Sequence, residues 1–224
     1  MLTTGDNFYN FLTSPLPVPE VQSPVAIINP YSDQYIKNVL KTFCETFYST
    51  HSKRILILGI NPGRFGAGVT GIPFTDPIRL DEICGIENSF VRKQELSSRF
   101  IYEMIEAFGG PVKFYNSFLL SAVCPIGFLN GTINYNYYDS QQLVKISSEL
   151  IRYSLKKHAS WNTSSTTVIS LGKKNAIFLE HFNSEARLFE NIITLEHPRY
   201  IMQYKLKSKN IYIDNYCRQL NDLI

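Results

Sequence analysis

Apolar residues recur along this chain in two rhythms. From Tyr31 to Thr50 they return every fourth position, at Tyr35, Val39, Phe43 and Phe47, the stripe of a helix with one face on a core. Val91 to Phe108 repeats the pattern with Leu96, Phe100, Met104 and Phe108, and Gly109-Gly110-Pro111 closes it. The second rhythm is a short unbroken apolar run. Ile55 to Leu58 is aliphatic throughout and stops at Gly59; Thr166 to Leu171 reads TTVISL before Gly172; Asn191 to Leu195 runs into Glu196-His197-Pro198. Runs of this kind are strands buried on both faces of a parallel sheet. Val112 to Val123 predicts one strand more, and helices are expected at Asp6–Leu12, Ser140–His158, Lys173–Phe182 and Leu206–Ile224. Ser14 to Pro30 is too rich in proline for a helix and is expected to drape over the surface. The stretch from Asn61 to Pro77 is a glycine- and proline-rich loop.

Strands alternating with helices predict an α/β fold, a three-layer α/β/α sandwich around a mostly parallel four-stranded central sheet. Residues 1–50 form a helical and proline-rich segment expected to pack on a main domain of residues 51–224. With 224 residues, 44% of them hydrophobic and 18% charged, the chain can bury a core without cross-links. Its net charge of +3 is mild, so affinity for nucleic acid has to come from local clusters. Cys44, Cys84, Cys124 and Cys217 are scattered and form no CxxC pair, which argues against a zinc or iron–sulfur site and fits free thiols in a reducing cytoplasm. The first residues lack the basic and apolar regions of a signal peptide, and no apolar run approaches the roughly eighteen residues of a membrane span. No metal, cofactor or membrane is therefore expected.

Chemistry is expected where the strands end, because open α/β sheets bind ligands beyond the carboxyl ends of their strands. The loop after the first strand carries Gly63, Gly66, Gly68 and Gly71, but neither G-x-G-x-x-G nor Gly-Lys-Ser/Thr, so the dinucleotide and P-loop fingerprints are missing. Asn61, in Asn61-Pro62-Gly63, is either a turn former or a catalytic amide.

The stretch ILILGINPGRFGAGVTGIPF, Ile55 to Phe74, resembles the first motif of the uracil-DNA glycosylase superfamily. It is most like the single-strand-selective monofunctional branch, with its G-M-N-P-G-x-F-G followed by T-G-x-P-F. Gly59, Asn61, Pro62, Gly63, Phe65, Gly66, Thr70, Gly71, Pro73 and Phe74 fall in that register. His197-Pro198 is similar to the opening of the second motif, and Ser121-Ala122-Val123-Cys124-Pro125 to the family's His-Asn-Leu-Cys-Pro. The turn Ile169-Ser170-Leu171-Gly172-Lys173 looks loosely like a family Gly-x-Gly-Arg turn, and residues 1–50 find no counterpart.

The resemblance implies roles. Asn61 would hold the attacking water, His197 would donate to the departing base, Phe74 would stack on it, and Ile60 and Gly63 would line its pocket. Gly63, lacking a side chain, would leave room for a 5-substituent. Arg199 and Tyr200 would wedge into the space the base vacates, with Lys205, Lys207 and Lys209 on phosphates and Lys173 and Lys174 at a helix start that could hold another. One position departs from the family: the asparagine that reads the base is Ala122 here, with Ser121 beside it. An alanine has nothing to pair with, so the substrate range is expected to extend past uracil to bases such as xanthine or hydroxymethyluracil. The reading is a monomeric, cofactor-free enzyme acting on DNA. A mismatch-specific thymine/uracil glycosylase, or a non-catalytic damaged-base or nucleotide binder, are its rivals. His51, His158 and His181 read as helix-face or surface residues.

Overall fold

The structure, a computed structural model, describes residues 2–161 and 163–224, without the side chains of residues 163–165. In chain order it begins with α1 (Thr4–Thr13), β1 (Val25–Ile28), α2 (Gln34–Phe47) and β2 (Arg54–Gly59). Then come the short α3 (Ala67–Thr70) and α4 (Pro77–Glu82), α5 (Leu96–Phe108), α6 (Pro111–Ser117), β3 (Phe118–Ala122), and the hairpin of β4 (Gly127–Asn130) and β5 (Ile133–Tyr135). The remainder is α7 (Gln141–Ser160), β6 (Thr163–Leu171), α8 (Lys173–Ala186), β7 (Asn191–Leu195), α9 (Pro198–Tyr204) and α10 (Lys209–Asn221).

The central sheet has the strand order β3-β2-β6-β7 and every pairing is parallel. β2 lies inside it with Ile57 opposite Leu120 on one side and Ile169 on the other, and all six of its residues are buried. That is why its sequence is a plain aliphatic run. Crossovers between parallel strands are right-handed. The step from β2 to β3 runs one way along the sheet, and the steps to β6 and β7 run the other way. The helices of the first connection therefore lie on one face of the sheet, and α7 and α8 on the opposite face.

Four expectations are corrected. Val112 to Val123 is not one strand: Gly110 (φ 89°) and Pro111 start helix α6, proline being suited to the first helical turn, and the strand begins only at Phe118. Val91 to Glu95 lies outside the helix that was expected to include it, because Glu95 caps α5 by accepting the Ser98 N–H at 3.0 Å. Ser14 to Pro30 does more than drape, since β1 within it pairs antiparallel with β4 and, with β5, makes a second, three-stranded sheet. On α2, Tyr35 is 40% exposed and Ile36 takes the core position beside Val39, Leu40 and Phe43.

The amino end of the sheet is closed by Arg54, which is entirely buried. Its guanidinium donates to Tyr115 O (2.7 Å), Thr4 Oγ1 (2.9 Å), Thr50 Oγ1 (2.8 Å) and Ser52 O (3.0 Å), and lies 5.3 Å from the Tyr48 ring centroid. These bonds tie α1 to the strand entry. Gly5 lets α1 settle on α2, since a Cβ there would stand 2.8 Å from Cys44 O. Among the described residues no helix is long and apolar enough to cross a membrane.

Candidate active site

A cavity of about 360 Å³ opens at the carboxyl ends of β2, β3 and β7. Ile60, Asn61, Gly63, Phe74, Ser121, Ala122, His197, Arg199 and Tyr200, all singled out in the sequence, line it together. Lys173 and Lys205 do not. Lys173 is instead paired with Glu196 at 2.7 Å and Lys174 with Asp139 at 3.6 Å, while the Lys209 ammonium pairs with Glu103. The start of α8 thus offers no unengaged lysine pair for a phosphate.

Asn61 lies two residues past the end of β2 and its amide is held at both ends. Oδ1 accepts the Tyr137 N–H at 3.1 Å, and Nδ2 donates weakly to Tyr135 O at 3.4 Å. Tyr135 is the last residue of β5 and Tyr137 lies two residues past it, so the hairpin is what orients the amide. The second lone pair on Oδ1 stays available to hold a water. The close fit rests on Gly127, where a Cβ would stand 2.2 Å from Pro62 O.

His197 caps α9, and its Nδ1 accepts the Arg199 N–H at 3.1 Å. Burial, with Arg199 adding its charge, lowers its pKa to about 4, so the ring is neutral at pH 7. A neutral imidazole that accepts at Nδ1 carries its proton on Nε2, which makes the free end of the ring a hydrogen-bond donor. The Phe74 ring lies beside it, with centroids 6.3 Å apart. Phe74 has φ of 55°, a left-handed conformation unusual for a side chain of that size. Thr70 Oγ1 donates to Thr75 O at 2.7 Å and so bridges the segment that holds it. A Cβ on Gly59 would stand 2.5 Å from Phe74 Cζ, so the ring lies where only glycine leaves space.

Ala122 leaves its part of the wall without a polar group, and Ser121 does not replace one. His158 is fully buried on α7, its pKa lowered to about 4 by that burial, and its Nδ1 lies 2.8 Å from Ser154 O. A carbonyl only accepts, so Nδ1 carries the proton and Nε2 receives the Ser121 hydroxyl hydrogen at 2.7 Å. His158 is accordingly a core histidine holding the β3 end, not a surface residue. His51 and His181 are exposed, as expected.

The cavity also holds residues that the sequence did not single out. Asn134 and Asn136 reach it from β5 and the turn after it, and Gln203 and Tyr204 from α9. Glu95 and Ser97 contribute from the start of α5, where burial pushes the Glu95 carboxyl above its ordinary pKa. The asparagines depend on a hairpin whose signal, Asn130-Gly131 between alternating apolar positions, is plain once sought. Tyr200 and Tyr204 are one turn apart on α9, 40% and 71% exposed, with ring centroids 5.5 Å apart. No lysine lines the cavity, and among the described residues no group of three or more His, Cys, Asp and Glu is placed to hold a metal.

The family model for the uracil DNA glycosylase superfamily matches residues 46–221. The chain is also similar to the crystal structure of wild-type SMUG2 from Pedobacter heparinus, with 42% identity and a TM-score of 0.94 over 100% of this chain and 99% of that one. That similarity takes in residues 1–50. No curated protein is matched by the chain at a significant level. A neutral histidine donor and an oriented asparagine on one cavity, matched over most of the chain by the family model, place this protein in the uracil DNA glycosylase superfamily.

Proposed function

We propose that the protein is a monofunctional DNA glycosylase that draws a damaged nucleotide into the cavity and hydrolyses its N-glycosidic bond. Its substrates are uracil and further deaminated or oxidised bases, among them xanthine and hydroxymethyluracil. The observation that carries this reading is the His197 tautomer: Nδ1 is occupied by the Arg199 N–H, which leaves Nε2–H to donate into the cavity. When the C1′–N bond breaks, its electron pair goes to the base and negative charge gathers on the carbonyl oxygens. A neutral donor aimed there stabilises that charge at the transition state, an effect worth about 10²–10³ in rate. The sugar is left electron-poor. Asn61 Oδ1 holds a water whose oxygen adds to C1′, and its proton passes to solvent, since an amide is no base. Orientation is the whole of its contribution.

A duplex hides this bond, so the nucleotide has to leave the stack at a cost of a few kcal/mol. Phe74, held in its unusual backbone conformation, offers a ring for the extruded base to stack on. Arg199, Tyr200 and Tyr204 form the rim of the cavity and meet the strand beside it: the arginine contacts phosphate, and the two tyrosines stack on neighbouring bases. A cavity lined by no lysine has no amine for a Schiff base, hence no strand cleavage. The protein acts as a monomer.

The reading is tested with oligonucleotides carrying a single uracil, xanthine, hypoxanthine or hydroxymethyluracil. Release that leaves alkali-labile sites, present in wild type and lost in both Asn61→Ala and His197→Ala, is the expected result. Strand cleavage without alkali, or release by wild type from uracil alone, would overturn the monofunctional or the broad-range part respectively.

A further inference from the structure

We infer that Asn134 selects bases that carry a carbonyl where cytosine and adenine carry an amino group. The inference rests on the glycosylase reading and assigns part of its specificity. Asn134 lies on β5 and lines the cavity. Its Oδ1 accepts the Arg64 N–H at 3.0 Å, and this fixes which end of the amide faces which way. The nitrogen is turned toward the Asn61-Pro62-Gly63 turn, where a Cβ on Gly63 would stand 3.3 Å from it. No hydrogen bond engages Nδ2 among the described residues. The side chain therefore offers the cavity two N–H donors and no free acceptor end.

Asn136 also lines the cavity, but among the described residues no hydrogen bond fixes its amide, so either end can face a ligand. Ala122 has no polar atom, and the Ser121 hydroxyl hydrogen is committed to His158. Asn134 is thus, like His197, a side chain of this cavity whose donor character the fold itself dictates. Together with His197 Nε2–H it gives the cavity two donors on two separate elements. Uracil and xanthine have a carbonyl oxygen for each. Cytosine and adenine would bring an NH₂ against the Asn134 NH₂, leaving both without an acceptor. A polar group left unpaired in this way is what makes sites built for hydrogen bonding reject the wrong partner strongly. The oxygen that deamination installs is then what the site reads.

Asn134→Asp separates this role from a purely structural one, because the carboxylate keeps an acceptor for the Arg64 N–H and loses only the donors. Single-turnover base release is measured at saturating enzyme on DNA carrying uracil, hypoxanthine or xanthine. Each variant's unfolding midpoint and its affinity for DNA with a tetrahydrofuran abasic site are measured alongside. The expected result is release slower by about tenfold or more on all three bases, with midpoint and abasic-site affinity unchanged. The uncharged Asn134→Leu should match it in rate. Asn134→Asp within about twofold of wild type would overturn the inference and leave Asn134 as a support for Arg64. So would a rate loss mirrored by an equal loss of abasic-site affinity, which would show charge repulsion. Wild type that binds DNA but releases no base would instead overturn the glycosylase reading, a result separate from both.

Discussion

The two ends of the central sheet treat polar groups in opposite ways. At the amino end, Arg54 is buried with no carboxylate partner among the described residues, and its donors are taken up by neutral oxygens of α1, the strand entry and Tyr115. At the carboxyl end, Asn134 and His197 each spend one atom on a backbone partner and keep another for the cavity, and Asn61, held at both ends of its amide, keeps the second lone pair of Oδ1. Saturation makes a rigid closure. Partial satisfaction fixes orientation while leaving chemistry to do. In the second group the bonds to backbone decide which atom is free, so the fold chooses donor or acceptor at each point of the cavity wall.

This contrast can be broken from either side. Arg54→Leu should have the largest effect, lowering the unfolding free energy by about 3–5 kcal/mol because several buried carbonyl and hydroxyl oxygens lose their donor. Denaturant titration checks it, and the rate per folded molecule should not change. His197→Ala should do the reverse. Single-turnover release should fall by about 10²–10³, equivalent to roughly 3–4 kcal/mol, while denaturant titration shows only the loss of a helix cap, about 1 kcal/mol.

Acid provides the third test. The unfolded chain protonates His158 below its ordinary pKa of 6.5, whereas the folded chain does so only near 4. Its contribution is complete above pH 6.5 and is lost as the pH falls, to a total of roughly 3 kcal/mol by pH 4. His158→Asn should flatten the stability profile over that interval, as followed by urea unfolding at each pH. His197, equally lowered, should leave the release rate without a step near pH 6.5. The smallest expected effects lie on the rim. Arg199→Ala should reduce the slope of log affinity against log salt by about one. Lys173→Ala, whose charge is already paired with Glu196, should leave that slope unchanged.

The parallel sheet is legible in the sequence because three of its strands, β2, β6 and β7, close in an apolar run that stops at a glycine or at Glu196-His197-Pro198. The helical stripes were legible too, although Val91 to Glu95 was counted into a helix that begins only after its cap. Val112 to Val123 is not legible as a helix followed by a strand because an apolar run reads alike in a strand and in a buried helix turn, and Gly110-Pro111 can close one helix as readily as it opens the next. Much of the site could be read from residues at strand ends, since position in a parallel sheet constrains where those side chains go. Lys173 shows the opposite: a helix-start lysine was read as a phosphate ligand, and its ion pair with Glu196 depends on a fold that spacing does not reveal. Asn134 was missed with its hairpin, and the directions of the Ser121 and His197 hydrogens follow from partners far away in sequence or from backbone geometry. No pattern of residue types encodes them.

The small sheet of β1, β4 and β5 has a consequence for how the molecule is made. Val25 to Ile28 leaves the ribosome before its partner strand, from Asn130 back to Gly127, which is synthesised about a hundred residues later. At roughly 5–20 residues per second the first strand waits several seconds to tens of seconds for its mate. The hairpin carries Asn134 and the backbone groups that aim Asn61, so this part of the cavity wall stays unformed through that interval. Helix α1, packed on α2, can form from residues already synthesised and hold the leading segment close to the place its partner will fill.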